Sequence, residues 1–402
     1  MSAHSQIITI HDLAYGGDGV GLAADGRAVF VPFTIPGEEV DVEIVEEKQR
    51  FCRGRIKEVR VPSEFRVAPA CPLFGRCGGC QYQHITYAEQ VRFKCAQLVE
   101  TLRRLGGLDI DAAVEPVIHS PKEYNYRNKL TLEPFERDGQ IDYGFFSQVE
   151  GDFLSVEHCP LADPALNDLL PMARERGLVR GNRDKRLLLR QPAVGAAHAF
   201  FGKPGARADW LEEVVGGHRV KVPAHSFWQV NPAVGDHLAG QVARWSGNPP
   251  VDYVIDAYAG AGLFSLAAGD AFTKVCLIEA DVAAVKASQW NHRHLGLKGR
   301  EFMIGRTEKI LPGLLRRAEK NRARMLVILD PPRGGCDQRV LEALLATPVR
   351  QIIYVSCNPG ALARDLKSLR RDGGYQIENL SLADMFPQTA HFESAVALRH
   401  DG

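Results

Sequence analysis

The chain has 402 residues, with 49 Lys+Arg balanced by 49 Asp+Glu, and is 45% hydrophobic and 24% charged. That balance excludes a largely disordered chain, and the scattered Gly and Pro exclude collagen-like and coiled-coil classes. No apolar run is long enough for a transmembrane helix, Met1 to Gln6 lack the basic and apolar parts of a secretory signal, and the length predicts two or three domains of a cytoplasmic protein.

Residues 1–62 read as short strands separated by glycine turns. Ile7 to Ile10, Ala28 to Phe33, Val40 to Val45 and Arg55 to Val59 are the candidate strands, with Gly16-Gly17-Asp18-Gly19 as a breaker. Such a pattern predicts a small closed barrel of the OB type. Six basic residues (48, 50, 53, 55, 57 and 60) face one acidic residue, Glu58. They read either as a solvated strand edge or as a patch tracking an RNA backbone. Residues 63–222 begin with a Pro- and Cys-bearing link. An amphipathic helix follows over 87–105, with Val91, Cys95, Leu98, Val99 and Leu102 on one side. The rest of this stretch is a mixed α+β region. Its run Tyr124-Asn125-Tyr126-Arg127-Asn128-Lys129 could grip single-stranded nucleic acid, but by composition fits the start of a strand better.

From about residue 250 the chain alternates strand and helix. Apolar runs at 253–256, 275–279, 325–330 and 351–356 predict strands covered on both faces, hence a doubly wound α/β sheet. The first run leads into Asp256-Ala257-Tyr258-Ala259-Gly260-Ala261-Gly262, and the second ends in Glu279. Glycines at 260 and 262 let backbone approach a ligand, and an acidic residue at the next strand end can bind a ribose. A dinucleotide and S-adenosylmethionine both fit this pattern, but the missing third glycine favours S-adenosylmethionine. Asp330-Pro331-Pro332 presents a carboxylate to the same crevice, and Ser356-Cys357-Asn358-Pro359 places a cysteine there. A helix expected from 361 puts Cys357 near a helix N-terminus, an environment that lowers a thiol pKa.

Nine cysteines cannot all pair, and a reducing compartment favours metal binding or catalysis over disulfides. Cys71, Cys77 and Cys80 form a tight trio around Gly78-Gly79, and Cys159 is the best fourth ligand. From spacing alone zinc and an iron–sulfur cluster are equally compatible with this set. The spacing C-x3-C-x2-C of radical enzymes is absent.

Phe227-Trp228-Gln229-Val230-Asn231, the run from Asp256 to Gly262, Asp330-Pro331-Pro332-Arg333, Ser356-Cys357-Asn358-Pro359 and the run from Phe386 to Glu393 together resemble the RNA uracil-C5 methyltransferase family over nearly the whole chain. The barrel is similar to the TRAM domain of that family's ribosomal-RNA branch. The resemblance implies a class I S-adenosylmethionine methyltransferase domain over 223–402, preceded by the barrel over 1–62 and a central RNA-binding domain over 63–222. It implies Cys357 as nucleophile at uracil C6 and Glu393 as the base that removes the C5 proton. By the same resemblance Gln229, Tyr258, Gly260, Gly262, Glu279 and Asp330 form the S-adenosylmethionine site. Cys71, Cys77, Cys80 and Cys159 would hold a [4Fe–4S] cluster, with zinc as the alternative. Leu263 and Arg306 stand where relatives often carry polar cofactor contacts, so those contacts are not carried over. Cys336 invites comparison with cytosine-C5 enzymes, but its spacing from Pro332 is wrong, and it reads as a loop thiol. The expected substrate is 23S rRNA, with tRNA as the alternative, acted on by a monomer that extrudes its target base. A non-catalytic RNA-binding iron–sulfur protein is the competing class, and Cys357 and Glu393 argue against it.

Overall fold

The computed structural model describes every residue except 1–4, 109, 111–113, 138, 148, 150, 180–181, 183–184, 203–208, 248–250, 318–323 and 401–402. The N-terminal sheet comprises β1 (Ser5–Thr9), β2 (Asp12–Leu13), β3 (Asp18–Leu22), β4 (Ala28–Pro32), β5 (Glu39–Glu47) and β6 (Phe51–Val61), in the order β1-β5-β6-β4-β3-β2. Period-two alternation sends Val29, Val31, Val40 and Val42 into its core. Gly54 is required where β5 crosses β6, because a Cβ there would lie 2.2 Å from Val42 Cγ1. The basic strand β6 is not an edge: it lies between β5 and β4. Lys48, Arg53, Arg55 and Arg60 pair with Glu46, Asp18, Glu43 and Asp41, so much of its charge is matched within the barrel.

Beyond the barrel, α1 (Tyr87–Gly106) coincides with the expected helix. A five-stranded antiparallel sheet follows, formed by β7 (Lys129–Arg137), β8 (Gln140–Ser147), β9 (Asp152–Ser155), β10 (Leu187–Arg190) and β11 (His198–Phe201) and backed by α2 (Pro164–Leu178). β12 (Trp210–Val215) and β13 (His218–Pro223) form a hairpin. The run at 124–129 enters β7. Tyr126 is buried with its hydroxyl donating to the Pro387 carbonyl at 3.0 Å, and the buried Asn128 donates to the Gln229 carbonyl at 3.2 Å. Those two side chains are structural and do not face RNA.

The C-terminal portion runs α3 (Pro232–Ser246), β14 (Tyr253–Ala257), α4 (Leu263–Ala268), β15 (Lys274–Glu279), α5 (Val282–His294), β16 (Arg300–Ile304), α6 (Thr307–Arg317), β17 (Met325–Leu329), α7 (Gln338–Ala346), β18 (Gln351–Ser356), α8 (Pro359–Arg371), β19 (Gln376–Ala383) and β20 (Glu393–Arg399). Its seven-stranded sheet has the order β16-β15-β14-β17-β18-β20-β19, with β20 alone running against the other six. β17 and β18 are buried along their whole length, as expected for strands with helices on both faces.

α1 is built into this layer. Leu98 and Leu102 join the apolar cluster that contains β17, β18 and α8 residues. Lys94 and Asp384, both without solvent exposure, pair at 2.6 Å, and Lys94 Nζ also donates to the Phe386 carbonyl at 3.0 Å. Gln90 Nε2 donates to Gln388 Oε1 at 2.9 Å, and Gln388 N–H donates back to Gln90 Oε1 at 2.9 Å. These bonds pin the segment that leads into β20.

Candidate functional site

The sheet register assembles the site. Ala257 pairs with both Ile278 and Leu329, and Leu329 pairs with Tyr354. The residues that follow, Tyr258, Glu279 and Asp330, therefore emerge together at the carboxyl edge of the parallel strands, beside the end of β18. β20 runs the other way, and its Ser394 pairs with Ser356. Cys357 follows Ser356, and Glu393, the first residue of β20, precedes Ser394, so the two residues lie at the same end of this ladder.

The loop after β14 is left-handed at Tyr258 (φ 64°), Gly260 (φ 54°) and Gly262 (φ 96°). The two glycines serve different ends. A Cβ on Gly260 would meet nothing within 4 Å, so that face is open to a ligand. A Cβ on Gly262 would lie 2.8 Å from Ser288 Oγ and His292 Cε1, so this glycine lets the loop pack on α5. Glu279 Oε1 accepts from the N–H groups of Ala280 and Asp281 at 2.6 and 2.7 Å, and Oε2 accepts from Gly260 N–H at 2.9 Å. Oε2 thus keeps a lone pair for a ligand hydroxyl. Asp256 is buried beneath, and burial pushes its carboxyl up to about 7, against the opposing pull of Ser265. Asp330 is likewise pushed up to about 7, first by burial and then by the charges of Asp256 and Glu279. An open backbone cradle flanked by carboxylates fits the ribose and cationic sulfonium of S-adenosylmethionine. Gln229 comes from outside this edge. It is buried between β13 and α3, packed where a Cβ on Gly235 would lie 2.9 Å from its own Cβ. Leu263 is buried, and Arg306 lies 3.8 Å from Glu308. Cys336 is buried with its N–H donating to Asp365 Oδ2 at 2.9 Å, as suits a loop thiol.

Cys357 departs from expectation. Its thiol is pushed up to about 11, chiefly by burial, then by the charge of Glu393; Arg333 opposes and Asp330 adds to the rise. The helix N-terminus does not prevail, because Asn358 caps it: Oδ1 accepts from Gly360 and Ala361 N–H at 3.0 and 3.3 Å, and Pro359 has no N–H. Burial and the Asp330 charge also hold Glu393 well above the carboxylate range, against the pull of Arg333.

Two residues of this cluster received no role from the sequence. Arg333 Nη2 lies 3.2 Å from His391 Nδ1, and the Arg333 carbonyl accepts from Asn358 Nδ2 at 2.9 Å. Burial, then Arg333, pushes His391 down to about 4, so it is neutral near pH 7. Their signal was position, within the same short motifs as Asp330 and Glu393.

Cys71, Cys77, Cys80 and Cys159 line one cavity of about 470 Å³. Gln83 Oε1 accepts from Cys71 N–H at 3.0 Å, and Asn167 Oδ1 accepts from Cys159 N–H at 2.9 Å, fixing the wrap. Burial raises the thiols of Cys77, Cys80 and Cys159, the second to about 12. Among the described residues no group of three or more His, Cys, Asp or Glu side chains is placed to hold a single metal ion. The four cysteines around one space are soft sulfur donors, the type that zinc and iron–sulfur clusters both take. Also among the described residues, no helix is long and apolar enough to cross a membrane.

The family model described as "tRNA (Uracil-5-)-methyltransferase" matches residues 213–401, and that of the TRAM domain matches residues 5–57. An uncharacterized RNA methyltransferase of Nostoc sp. is 32% identical, covering 97% of this chain and 95% of its own. One of Gloeobacter violaceus is 34% identical with the same coverage. In three dimensions, the Pyrococcus abyssi tRNA (uracil-54, C5)-methyltransferase, solved with S-adenosyl-L-homocysteine, superposes with a TM-score of 0.72 at 22% identity, over 98% of this chain and all of that one. The cradle at the strand ends, the barrel ahead of it and full-length similarity to RNA methyltransferases agree: this chain is a TRAM-bearing, S-adenosylmethionine-dependent member of the RNA uracil-5-methyltransferase family.

Proposed function

We propose that the protein methylates uracil C5 in 23S rRNA, with Cys357 as nucleophile and Glu393 as base. The observation that supports this reading is the nearness of the two groups: Cys357 and Glu393 adjoin the last β18–β20 pair, Ser356 with Ser394, and the charges of Glu393 and Asp330 both act on the thiol. A thiol held near 11 is protonated at rest, so it needs a proton acceptor when RNA arrives. Asp330, titrating near 7, takes that proton. The Cys357 sulfur bonds to C6, and the C5=C6 electron pair moves into an enolate, making C5 nucleophilic. S-adenosylmethionine supplies the methyl cation and leaves as the thioether. Glu393, having given its own proton to solvent, takes the C5 proton; the C–H pair re-forms C5=C6 and expels the Cys357 thiolate, which recovers its proton from Asp330. One proton is released overall. The raised basicity of Glu393 suits this final abstraction, and Arg333 holds its charge. Gly260 and Glu279 would bind the ribose end of the cofactor, with Tyr258, Gln229 and Asp330 around it. The cavity of Cys71, Cys77, Cys80 and Cys159 would hold a [4Fe–4S] cluster that shapes the RNA-facing region, since methyl transfer needs no electron.

tRNA is the second reading, favoured by the shared full-length architecture with a protein described as a tRNA enzyme. The test is methyl transfer from labelled S-adenosylmethionine to unmodified 23S rRNA and tRNA, with Cys357→Ala in parallel and nucleoside identification. Label as 5-methyluridine in rRNA, lost in the variant, is expected. Label in tRNA alone would overturn the substrate, and label retained by the variant would overturn the mechanism.

A further inference from the structure

The turn between β2 and β3 leaves the barrel and ends at the crevice. Ala14 N–H donates to the Asp18 carbonyl at 2.8 Å, and Gly17 N–H donates to the Ala14 carbonyl at 3.0 Å. Gly16 and Gly17 have φ of 110° and 106°, and a Cβ on Gly17 would lie 2.8 Å from Gln81 Cβ. Gln97 of α1 donates to the carbonyls of Leu13 and Ala14 at 2.9 and 3.2 Å. The turn is therefore fastened to the same helix whose Lys94 and Gln90 hold the segment before β20. At its apex stands Tyr15, whose ring meets Phe392 edge-on at 5.9 Å and 78°. Phe392 is buried and directly precedes Glu393, while Tyr15 is 40% exposed. The charges of Arg333, Cys357 and Glu393 all act on its phenol.

An aromatic ring anchored by one edge, with its remaining surface open beside the reacting pair, is a stacking platform for a nucleobase. We propose that Tyr15 is a substrate-positioning residue contributed by the barrel: its open ring surface stacks on the extruded uracil and holds C6 over Cys357. The barrel then completes the base pocket as well as binding RNA. This rests on the reading that Cys357 and Glu393 carry the reaction.

The test compares full-length wild type, Tyr15→Ala, Tyr15→Leu, Tyr15→Phe and Cys357→Ala, using an RNA substrate labelled by the wild type. RNA affinity, S-adenosylmethionine affinity, thermal melting and single-turnover methyl transfer are measured for each. RNA affinity resides mostly in phosphate contacts, so loss of the ring should leave it nearly unchanged. The expected result is a roughly 10- to 100-fold slower single turnover in Tyr15→Ala, the range set by base-on-aromatic stacking. Melting and cofactor affinity should hold, Tyr15→Phe should restore the rate, and Tyr15→Leu should not. Full recovery by Tyr15→Leu would reduce Tyr15 to packing on Phe392 and overturn the proposal. So would a wild-type rate in Tyr15→Ala, or a loss confined to melting or RNA affinity. An active Cys357→Ala would instead overturn the reading of the reacting pair, whatever Tyr15 does.

Discussion

Replacing Glu393 by glutamine should make Cys357 more reactive while stopping methyl transfer. The two residues adjoin the last antiparallel pair, Ser356 with Ser394, and paired residues in such a ladder have Cα atoms about 4.5–5.5 Å apart. At such a distance an ionised carboxylate raises the pKa of a neighbouring acid by about one to three units. Glu393 is the largest charge acting on the thiol after burial, and Asp330 also raises it. Glutamine keeps the shape and removes the charge, so the Cys357 titration should fall from about 11 by about one pH unit or more. Each unit is about a tenfold gain in thiolate at a pH below the midpoint where wild-type Glu393 is ionised. The assay is iodoacetamide alkylation across pH, with peptide mapping to follow Cys357 among the nine cysteines. Arg333→Ala should move the midpoint upward, because Arg333 favours the thiolate. A Glu393→Gln midpoint that stays or rises would refute the assigned electrostatics, and undiminished turnover would refute the base.

Lys94→Met leaves Asp384 charged and buried without its partner, so urea unfolding should show a loss of about 3–5 kcal/mol; a loss under about 1 kcal/mol would contradict the buried pairing. Glu279→Ala removes a fixed anionic acceptor from the cradle, and calorimetry should show S-adenosylmethionine binding weakened by about 10- to 100-fold. Cys80→Ser should lower iron and acid-labile sulfide in anaerobically purified protein, together with its visible absorbance. Equal iron in the variant and the wild type would remove Cys80 from the ligand set.

Much of the α/β sheet was legible because buried parallel strands are short apolar runs. The run at 351–356 coincides with β18, and the runs at 253–256 and 325–330 differ from β14 and β17 by one residue at one end. The site residues at strand ends were legible for the same reason, since once strands are found their ends follow. Local pattern says nothing of partners far along the chain. Gln90 and Gln388 lie 298 residues apart, and no periodicity near either announces the other. The same holds for Tyr15, which sits in a glycine turn that reads as barrel punctuation and gains its place only through Gln97 and Phe392. The middle region was hard to read from sequence because β9 and β11 are only four residues each and partly exposed, and β7 carries Pro134 within it. The thiol of Cys357 was misjudged because a helix start is visible in sequence, whereas the capping of its donors by Asn358 and the burial of the thiol are not.

The Lys94–Asp384 lock also bears on how the chain is made. The two residues are separated by 290 positions, so at ribosomal speeds of about 5–20 residues per second roughly 15–60 s pass between their syntheses. Throughout that interval the ammonium group lacks the carboxylate that makes its burial tolerable, and Leu98 and Leu102 lack the β18 and α8 surfaces they pack on. The barrel has no such debt, because its apolar cluster closes between Ile8 and Val59. An early barrel and a late helix therefore lie side by side on the nascent chain. The catalytic layer completes only after β20 has left the ribosome, which makes the helix between them the segment most in need of shielding during translation.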